Sequence, residues 1–84
     1  MRAIFVLIKC DMGVAYRVAR EMADNIEELS EMHSISGTYD LLGKFYLPPE
    51  EDVGQFVVER VQTVPGVRDT LTMLTFNAFI PGRG

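Results

Sequence analysis

The apolar residues follow the spacing of β-strands in four stretches of the chain and the spacing of α-helices in two. Residues 2–10 are apolar on both alternating faces, which is typical of a central strand that is covered on two sides. Residues 29–36 form a more polar strand, typical of a sheet edge. Residues 39–47 and 67–79 are the other two predicted strands, and Gly37-Thr38 fits a two-residue hairpin turn before the third.

The two helical stretches lie between strands one and two and between strands three and four. Apolar residues recur every three or four positions along residues 11–25, and Asp11 is placed to cap the helix because its carboxylate accepts from first-turn amides. Pro48-Pro49 opens the second helix, whose acidic first turn opposes the positive end of the helix dipole. Its apolar face extends to Val64, and Pro65-Gly66 predicts the turn that follows.

The order of these elements is β-α-β-β-α-β, which predicts an α+β fold of the ferredoxin-like type. Such a fold has a four-stranded antiparallel sheet in the order 4-1-3-2, with two helices on one face. Strands one and three are apolar on both faces, so the face without helices would be too large an apolar patch for a soluble monomer. We therefore expect a second copy to pack against it, sheet to sheet.

The composition narrows the classes of function. The net charge is −4 and the eight Lys and Arg residues are scattered, which does not fit a nucleic-acid-binding surface. The apolar run at the N-terminus is too short for a signal peptide or a membrane span. Cys10 is the only cysteine and His33 the only histidine, which argues against a disulfide within the chain and a structural metal. We expect a cytoplasmic protein that uses no cofactor and contacts neither nucleic acid nor a membrane directly.

The side chains that could act in catalysis are few. His33 is the only candidate imidazole base, and it lies on the predicted edge strand with no second group fixed beside it by local spacing. Cys10 ends a central strand, where a free cysteine is usually a small buried hydrophobic residue. No catalytic residue is therefore assigned. The alternative is a small dimeric α/β-barrel enzyme, of the oxygenase or isomerase kind, with His33 and Tyr46 near its cavity.

Two short motifs carry more information. They are SGTYDLL, residues 36–42, and VPGVRDTLTMLT, residues 64–75. The first motif has a glycine, any residue, an aromatic and an aspartate in the hairpin. The second has Pro-Gly-Val followed by Asp-Thr-x-Thr on the last strand. Together the two motifs resemble the ligand-binding domain of the Lrp/AsnC regulators. This module is called the RAM domain, for regulation of amino-acid metabolism, and the resemblance extends from strand one to about residue 78.

Regulators of that family carry a helix-turn-helix domain before the module, whereas this chain starts at the module's first strand. We interpret it as a stand-alone form, to which DNA binding does not carry over. Residues 1–80 would be the ligand-binding and oligomerisation domain, and residues 81–84 a C-terminal tail. The resemblance implies sheet-to-sheet dimers, often assembled as rings of four dimers, with amino-acid effectors bound between dimers. A full-length regulator of the family is a further candidate partner.

Carried over residue by residue, the resemblance implies a ligand site made of Gly37, Tyr39, Asp40, Thr70 and Thr72. The residue types suit an amino acid: the Asp40 carboxylate accepts from an ammonium, while turn amides and threonine hydroxyls donate to a carboxylate. Thr70, Thr72 and Gly37 also suit a strand and a turn by propensity alone. Asp40 is harder to explain in that way, because a buried carboxylate without partners is costly. The predicted function is a non-enzymatic amino-acid-sensing module.

Overall fold

The computed structural model describes residues 1–82 and contains the six predicted elements in the predicted order. The second helix has two parts: α2 proper and a π-helical turn that continues it without a break. Of the predicted tail, residues 83 and 84 lie outside the described residues. The elements are β1 (Arg2–Cys10), α1 (Ala15–Asn25), β2 (Leu29–Ser34), β3 (Leu41–Leu47), α2 (Val53–Phe56), the π-helical turn (Val57–Val61) and β4 (Val67–Leu74).

The four strands form one antiparallel sheet in the order β2-β3-β1-β4, which confirms the ferredoxin-like topology. The central strand β1 pairs with β3 on one side, where Ile8 lies opposite Leu41, and with β4 on the other, where Ile8 lies opposite Thr70. The more polar β2 lies at one edge of the sheet, as its sequence predicts. The strands β3 and β4 therefore lie on opposite sides of β1.

The hydrophobic core fills the space between one face of the sheet and the helices. Alternate residues of β1 and β3 point into it, because successive strand residues point to opposite faces. Val18 and Met22 enter from α1, and Phe56 from α2 meets Phe45 edge to face with 5.5 Å between ring centroids. We call this side the core face; its fully buried strand residues are Ile4, Val6, Ile8, Leu41, Phe45 and Leu47.

The opposite side, which we call the open face, is covered by no helix of residues 1–82. Its central part is apolar, with Phe5 and Leu7 of β1 half-buried between neighbouring strands. Leu71 and Met73, which lie opposite them on β4, are exposed. Beyond β4, the side chains of Phe76 and Phe79 are 96% and 90% exposed.

Four predicted boundaries are wrong. The second helix begins at Val53 with Asp52 as its N-cap, so Pro48-Pro49 and the acidic residues lie before the helix rather than in its first turn. The second wrong boundary is the end of the last strand. The sequence predicts a strand over residues 67–79, but β4 ends at Leu74. Leu74 pairs with Ile4, near the start of β1, so little strand is left for later residues to pair with. The Thr75 hydroxyl still donates to the Ala3 carbonyl at 2.6 Å, and residues 75–80 then continue without regular structure.

The first helix also begins later than predicted. Val14 rather than Asp11 is its N-cap residue, and no side chain caps the helix. Gly13 has a φ of 80°, which an α-helix does not allow. The Asp11 amide donates instead to the Gly66 carbonyl at 2.8 Å, which fixes the β1–α1 loop, residues 11–14, against the start of β4.

The predicted two-residue hairpin turn is wrong as well. The strands β2 and β3 end at Ser34 and Leu41, and the Ile35 amide donates to the Asp40 carbonyl at 3.0 Å around a loop of residues 36–39. Asp40 bonds on both sides, because its amide also donates to the Ile8 carbonyl of β1 at 2.9 Å. We call residues 35–40 the hairpin loop.

Candidate functional site

Asp40 lies where the hairpin loop meets the end of β1, and its carboxylate has a defined structural partner. Its Oδ2 accepts a hydrogen bond from the Cys10 amide at 2.7 Å, a short distance that is typical of a bond to a charged acceptor. The pairing of β1 with β4 shifts register between Lys9 and Cys10, at the place where this bond forms. Asp40 therefore holds the end of β1, and among the described residues no other hydrogen bond or ion pair reaches its side chain.

The other two predicted residues of the hairpin loop lie beside Asp40 in the chain. Gly37 is exposed and has a φ of 111°, a backbone conformation that residues other than glycine rarely adopt. Tyr39 is half-buried. The Lys9 ammonium donates to the Thr38 carbonyl at 3.0 Å, so a side chain of β1 helps to fix the loop.

Thr70 and Thr72 lie on β4 and are separated from the hairpin loop by β1. They are opposite Ile8 and Val6, so their side chains are on the core face, near the edge of the sheet. The Thr70 hydroxyl accepts a hydrogen bond from the Gln62 side-chain amide at 2.8 Å. The structure thus brings Gly37, Tyr39 and Asp40 together within one chain and leaves the two threonines apart from them.

Asp40 also lines an open cavity of about 540 Å³ at the end of the sheet, which we call the β1-end cavity. The cavity lies between the end of β1, the β1–α1 loop, the first turn of α1 and the start of β4. Of the five predicted site residues, Asp40 alone lines it. The full lining is Lys9, Cys10, Asp11, Met12, Gly13, Ala15, Tyr16, Asp40 and Arg68.

Sequence reasoning did not assign the charged residues of this cavity other than Asp40. Arg68 and Asp11 form an ion pair with 3.6 Å between Nε and Oδ1, and both side chains are largely exposed. They are 57 positions apart in the chain, so no local spacing signals the contact. Locally, the sequence indicates only a turn at Asp11-Met12-Gly13, because an aspartate two residues before a glycine is typical of a turn.

The thiol in the cavity wall is not an activated nucleophile. Burial raises the pKa of Cys10, and the negative charges of Asp40 and Asp11 raise it further. A raised pKa keeps the thiol protonated at neutral pH, whereas a reactive cysteine needs a thiolate. Cys10 is therefore a core residue, as the sequence predicts.

The two side chains of the enzyme alternative lie on the open face, where Tyr46 lines an open cavity of about 630 Å³ and His33 does not. His33 is exposed on β2 and bonds to Glu31, with 3.1 Å between Nε2 and Oε1. Tyr46 is exposed on β3, and its ring lies 5.1 Å from the Lys44 ammonium. No group of three or more His, Cys, Asp or Glu side chains within residues 1–82 could hold a metal ion. Among the same residues no helix is long and apolar enough to cross a membrane.

The sequence matches the family model of the Lrp/AsnC ligand binding domain over residues 3–84. An uncharacterized HTH-type transcriptional regulator of Pyrococcus abyssi is 35% identical over 75 residues, which are 87% of this chain and 50% of that protein. The chain thus spans about half the length of the curated regulators that it matches. A homocitrate synthase of Saccharolobus islandicus is 32% identical over 69 residues, 82% of this chain but 15% of the enzyme.

Solved structures have the same fold. The crystal structure of FFRP-DM1 superposes with a TM-score of 0.83 at 26% identity, covering 90% of this chain and 100% of its own. A transcriptional regulator of Neisseria meningitidis, solved as a complex with L-Met, superposes with a TM-score of 0.78 at 14% identity. That match covers 90% of this chain and 50% of the regulator, and at this identity it shows the fold alone.

Proposed function

This chain belongs to the Lrp/AsnC family of ligand-binding domains, and we propose that it is an amino-acid-sensing module. In this proposal the chain binds a small amino acid where subunits meet, and the bound ligand changes how the module associates with a full-length regulator of the family. The observation that carries the proposal is the Asp40 carboxylate. One of its oxygens bonds to the Cys10 amide, and the group lines a cavity in which a ligand ammonium could approach the other.

We propose a homodimer in which the open faces of two chains pack together. Phe5, Leu7, Leu71 and Met73 give this face a continuous apolar centre, and an exposed apolar patch of this kind is typical of a protein interface. A two-fold axis would place the same patch on both partners, as in most homodimers. We further propose that four such dimers form a ring in the ligand-bound module.

A site that uses all five predicted residues needs more than one chain. Gly37, Tyr39 and Asp40 lie on one side of β1, and Thr70 and Thr72 lie on the other. In the proposed site, the hairpin loop of one dimer therefore meets the end of β4 of the next. The Asp40 carboxylate accepts from the ligand ammonium, and the loop amides and threonine hydroxyls donate to the ligand carboxylate. Tyr39 lines the pocket that receives the ligand side chain.

The relatives support a role as an accessory module rather than as an enzyme. The same type of domain makes up half of a transcriptional regulator and 15% of a homocitrate synthase, so it accompanies proteins with unrelated activities. The core face is filled by buried side chains, which leaves no enclosed reaction chamber between the described sheet and helices. The relative solved with L-Met supports an amino acid as the class of ligand.

A thermal-shift screen of the twenty amino acids tests the proposal. A ligand that binds the folded chain at 100 times its Kd adds about 2.7 kcal/mol to the free energy of unfolding, which is a measurable shift. We expect at least one amino acid to stabilise the protein saturably, and the Asp40→Asn variant to lose most of that shift. If none of the twenty stabilises the wild-type protein, the sensing function is wrong.

A further inference from the structure

We propose that the β1-end cavity selects amino acids with apolar, uncharged side chains, and that Arg68 binds the ligand carboxylate there. This inference rests on the proposed amino-acid-binding function and adds to it a specificity-determining residue outside the predicted site. It keeps the ligand ammonium at Asp40 and adds Arg68 to the loop amides and threonine hydroxyls as a donor to the ligand carboxylate. It also adds Met12 and Tyr16 to Tyr39 as the surface that contacts the ligand side chain. The juxtaposition that carries it is a cavity whose wall has both signs of charge beside an apolar surface.

The charges of the wall favour a ligand without net charge. Two carboxylates, of Asp40 and Asp11, and two cations, of Lys9 and Arg68, line the cavity, so their formal charges cancel. Lys9 is engaged with the Thr38 carbonyl at 3.0 Å, which leaves Arg68 as the cation best placed for a ligand. An amino acid with a charged side chain would bring a net charge into the cavity, and the wall has no net charge of the opposite sign to balance it.

Arg68 is suited to the carboxylate by its geometry and its present partner. Its contact with Asp11 is long, at 3.6 Å, and both side chains are largely exposed, so the pair is weak and can rearrange. The guanidinium presents several N–H groups in a plane, so it can donate to Asp11 and to a ligand carboxylate together. A ligand ammonium beside Asp40 would then complete an alternating set of charges across the cavity.

The remaining wall is apolar and unusually exposed. Met12 is 97% exposed and Tyr16 is 64% exposed, although both residues belong to types that normally bury much of their surface. Both line the cavity, together with the smaller Ala15. A flexible thioether and an aromatic ring form a surface that adapts to an apolar side chain. The volume of about 540 Å³ is within the range of small-molecule sites.

Calorimetric titration of wild-type protein and two arginine variants tests the inference. The probes are L-leucine, L-methionine and L-phenylalanine, with L-glutamate and L-lysine as charged probes and isoamylamine as leucine without its carboxylate. Arg68→Gln removes the proposed partner, and Arg20→Gln is the matched control because Arg20 is an exposed arginine that does not line the cavity. Circular dichroism confirms that each variant is folded.

We expect at least one apolar probe to bind the wild-type protein about ten-fold or more tighter than either charged probe. Arg68→Gln should weaken that probe by about ten-fold or more, the loss of a hydrogen-bonded charge pair, while Arg20→Gln leaves it unchanged. The same Arg68→Gln change should leave isoamylamine binding unaltered, because the amine has no carboxylate to lose. A merely structural role of Arg68 would weaken both probes alike.

Three outcomes overturn the inference. Equal affinity of Arg68→Gln and wild type for the apolar amino acids would refute Arg68 as the carboxylate partner while leaving amino-acid binding in place. Tighter binding of L-glutamate or L-lysine than of all three apolar probes would refute the selectivity in the same way. If a screen of all twenty amino acids finds no ligand for the wild-type protein, the proposed function fails together with the inference.

Discussion

Replacing Asp40 by alanine separates its structural role from its role in binding. The carboxylate Oδ2 accepts from the Cys10 amide at 2.7 Å in a part-buried position, so the substitution leaves an amide at the end of β1 without its charged acceptor. A hydrogen bond to a charged group contributes about 1.5–3 kcal/mol, and we expect Asp40→Ala to lower the free energy of unfolding by about that amount. Asp40→Asn keeps an oxygen in place for the Cys10 amide, so we expect it to lose about 1 kcal/mol or less.

The amide of Asp40→Asn has a second consequence. If its oxygen accepts from the Cys10 amide, its NH₂ group takes the place of the second carboxylate oxygen and presents donors to a ligand ammonium. We therefore expect Asp40→Asn to bind an amino acid about 10- to 150-fold more weakly than wild type while remaining nearly as stable. Stability would therefore fall in the order wild type, Asp40→Asn, Asp40→Ala, whereas both variants would bind the amino acid much more weakly than wild type.

Urea unfolding followed by circular dichroism measures the stability part of this prediction. Asp52→Ala is a matched comparison, because the Asp52 Oδ1 also accepts from one amide, that of Gln55 at 2.9 Å, but at an exposed helix N-cap. Removal of such a cap costs about 1 kcal/mol. If Asp40→Ala is no less stable than Asp52→Ala, the bond to Cys10 does not hold the end of β1 as we infer.

Four further substitutions, one of them with a matched control, test other parts of the account. Leu71→Glu on the open face should weaken the proposed dimer by roughly 100-fold or more in sedimentation equilibrium, because it buries a charge without a partner, whereas Val58→Glu on the exposed side of the π-helical turn should not. Gly37→Ala should lower the free energy of unfolding in urea by about 1–2 kcal/mol, because Gly37 has a φ of 111°. Gly54→Ala should raise it by about 0.5–1 kcal/mol, since the new methyl group contacts only Asp52, at 3.4 Å. Burial raises the pKa of Cys10. The unfolded chain therefore releases this proton first, and stability falls as the pH rises above the ordinary thiol pKa of about 8.5. Cys10→Ala should remove that part of the fall.

The fold follows from the sequence because its patterning is local. The doubly apolar β1 and the polar β2 are found as predicted, at the centre and at the edge of the sheet. The wrong boundaries arise where distant contacts decide the end of an element. β4 stops at Leu74, which pairs with Ile4 near the start of β1, and the hairpin loop closes on Asp40, which bonds to both Ile35 and Ile8. Neither contact leaves a signal in the spacing of nearby residues.

The candidate site was predictable only in part for the same reason. Asp40 stands out in the sequence as a carboxylate in an apolar stretch, and the structure gives it both a backbone partner and a cavity. Sequence reasoning did not assign Arg68 or Tyr16 to the site, because their proximity to Asp40 depends on how the β1–α1 loop folds. The roles of Gly37, Tyr39, Thr70 and Thr72 in ligand binding stay predictions, since they involve contacts between chains.

The central claim is that an amino acid binds at the hairpin loop and the β1-end cavity, and hydrogen–deuterium exchange with mass spectrometry tests its location directly. The wild-type protein is compared with and without a saturating amino acid identified in the thermal-shift screen. We predict slower exchange in peptides that cover residues 9–16, 35–40 and 67–72, with little change across residues 53–61 of the second helix. Protection confined to the second helix, or to residues 75–80, would contradict the account.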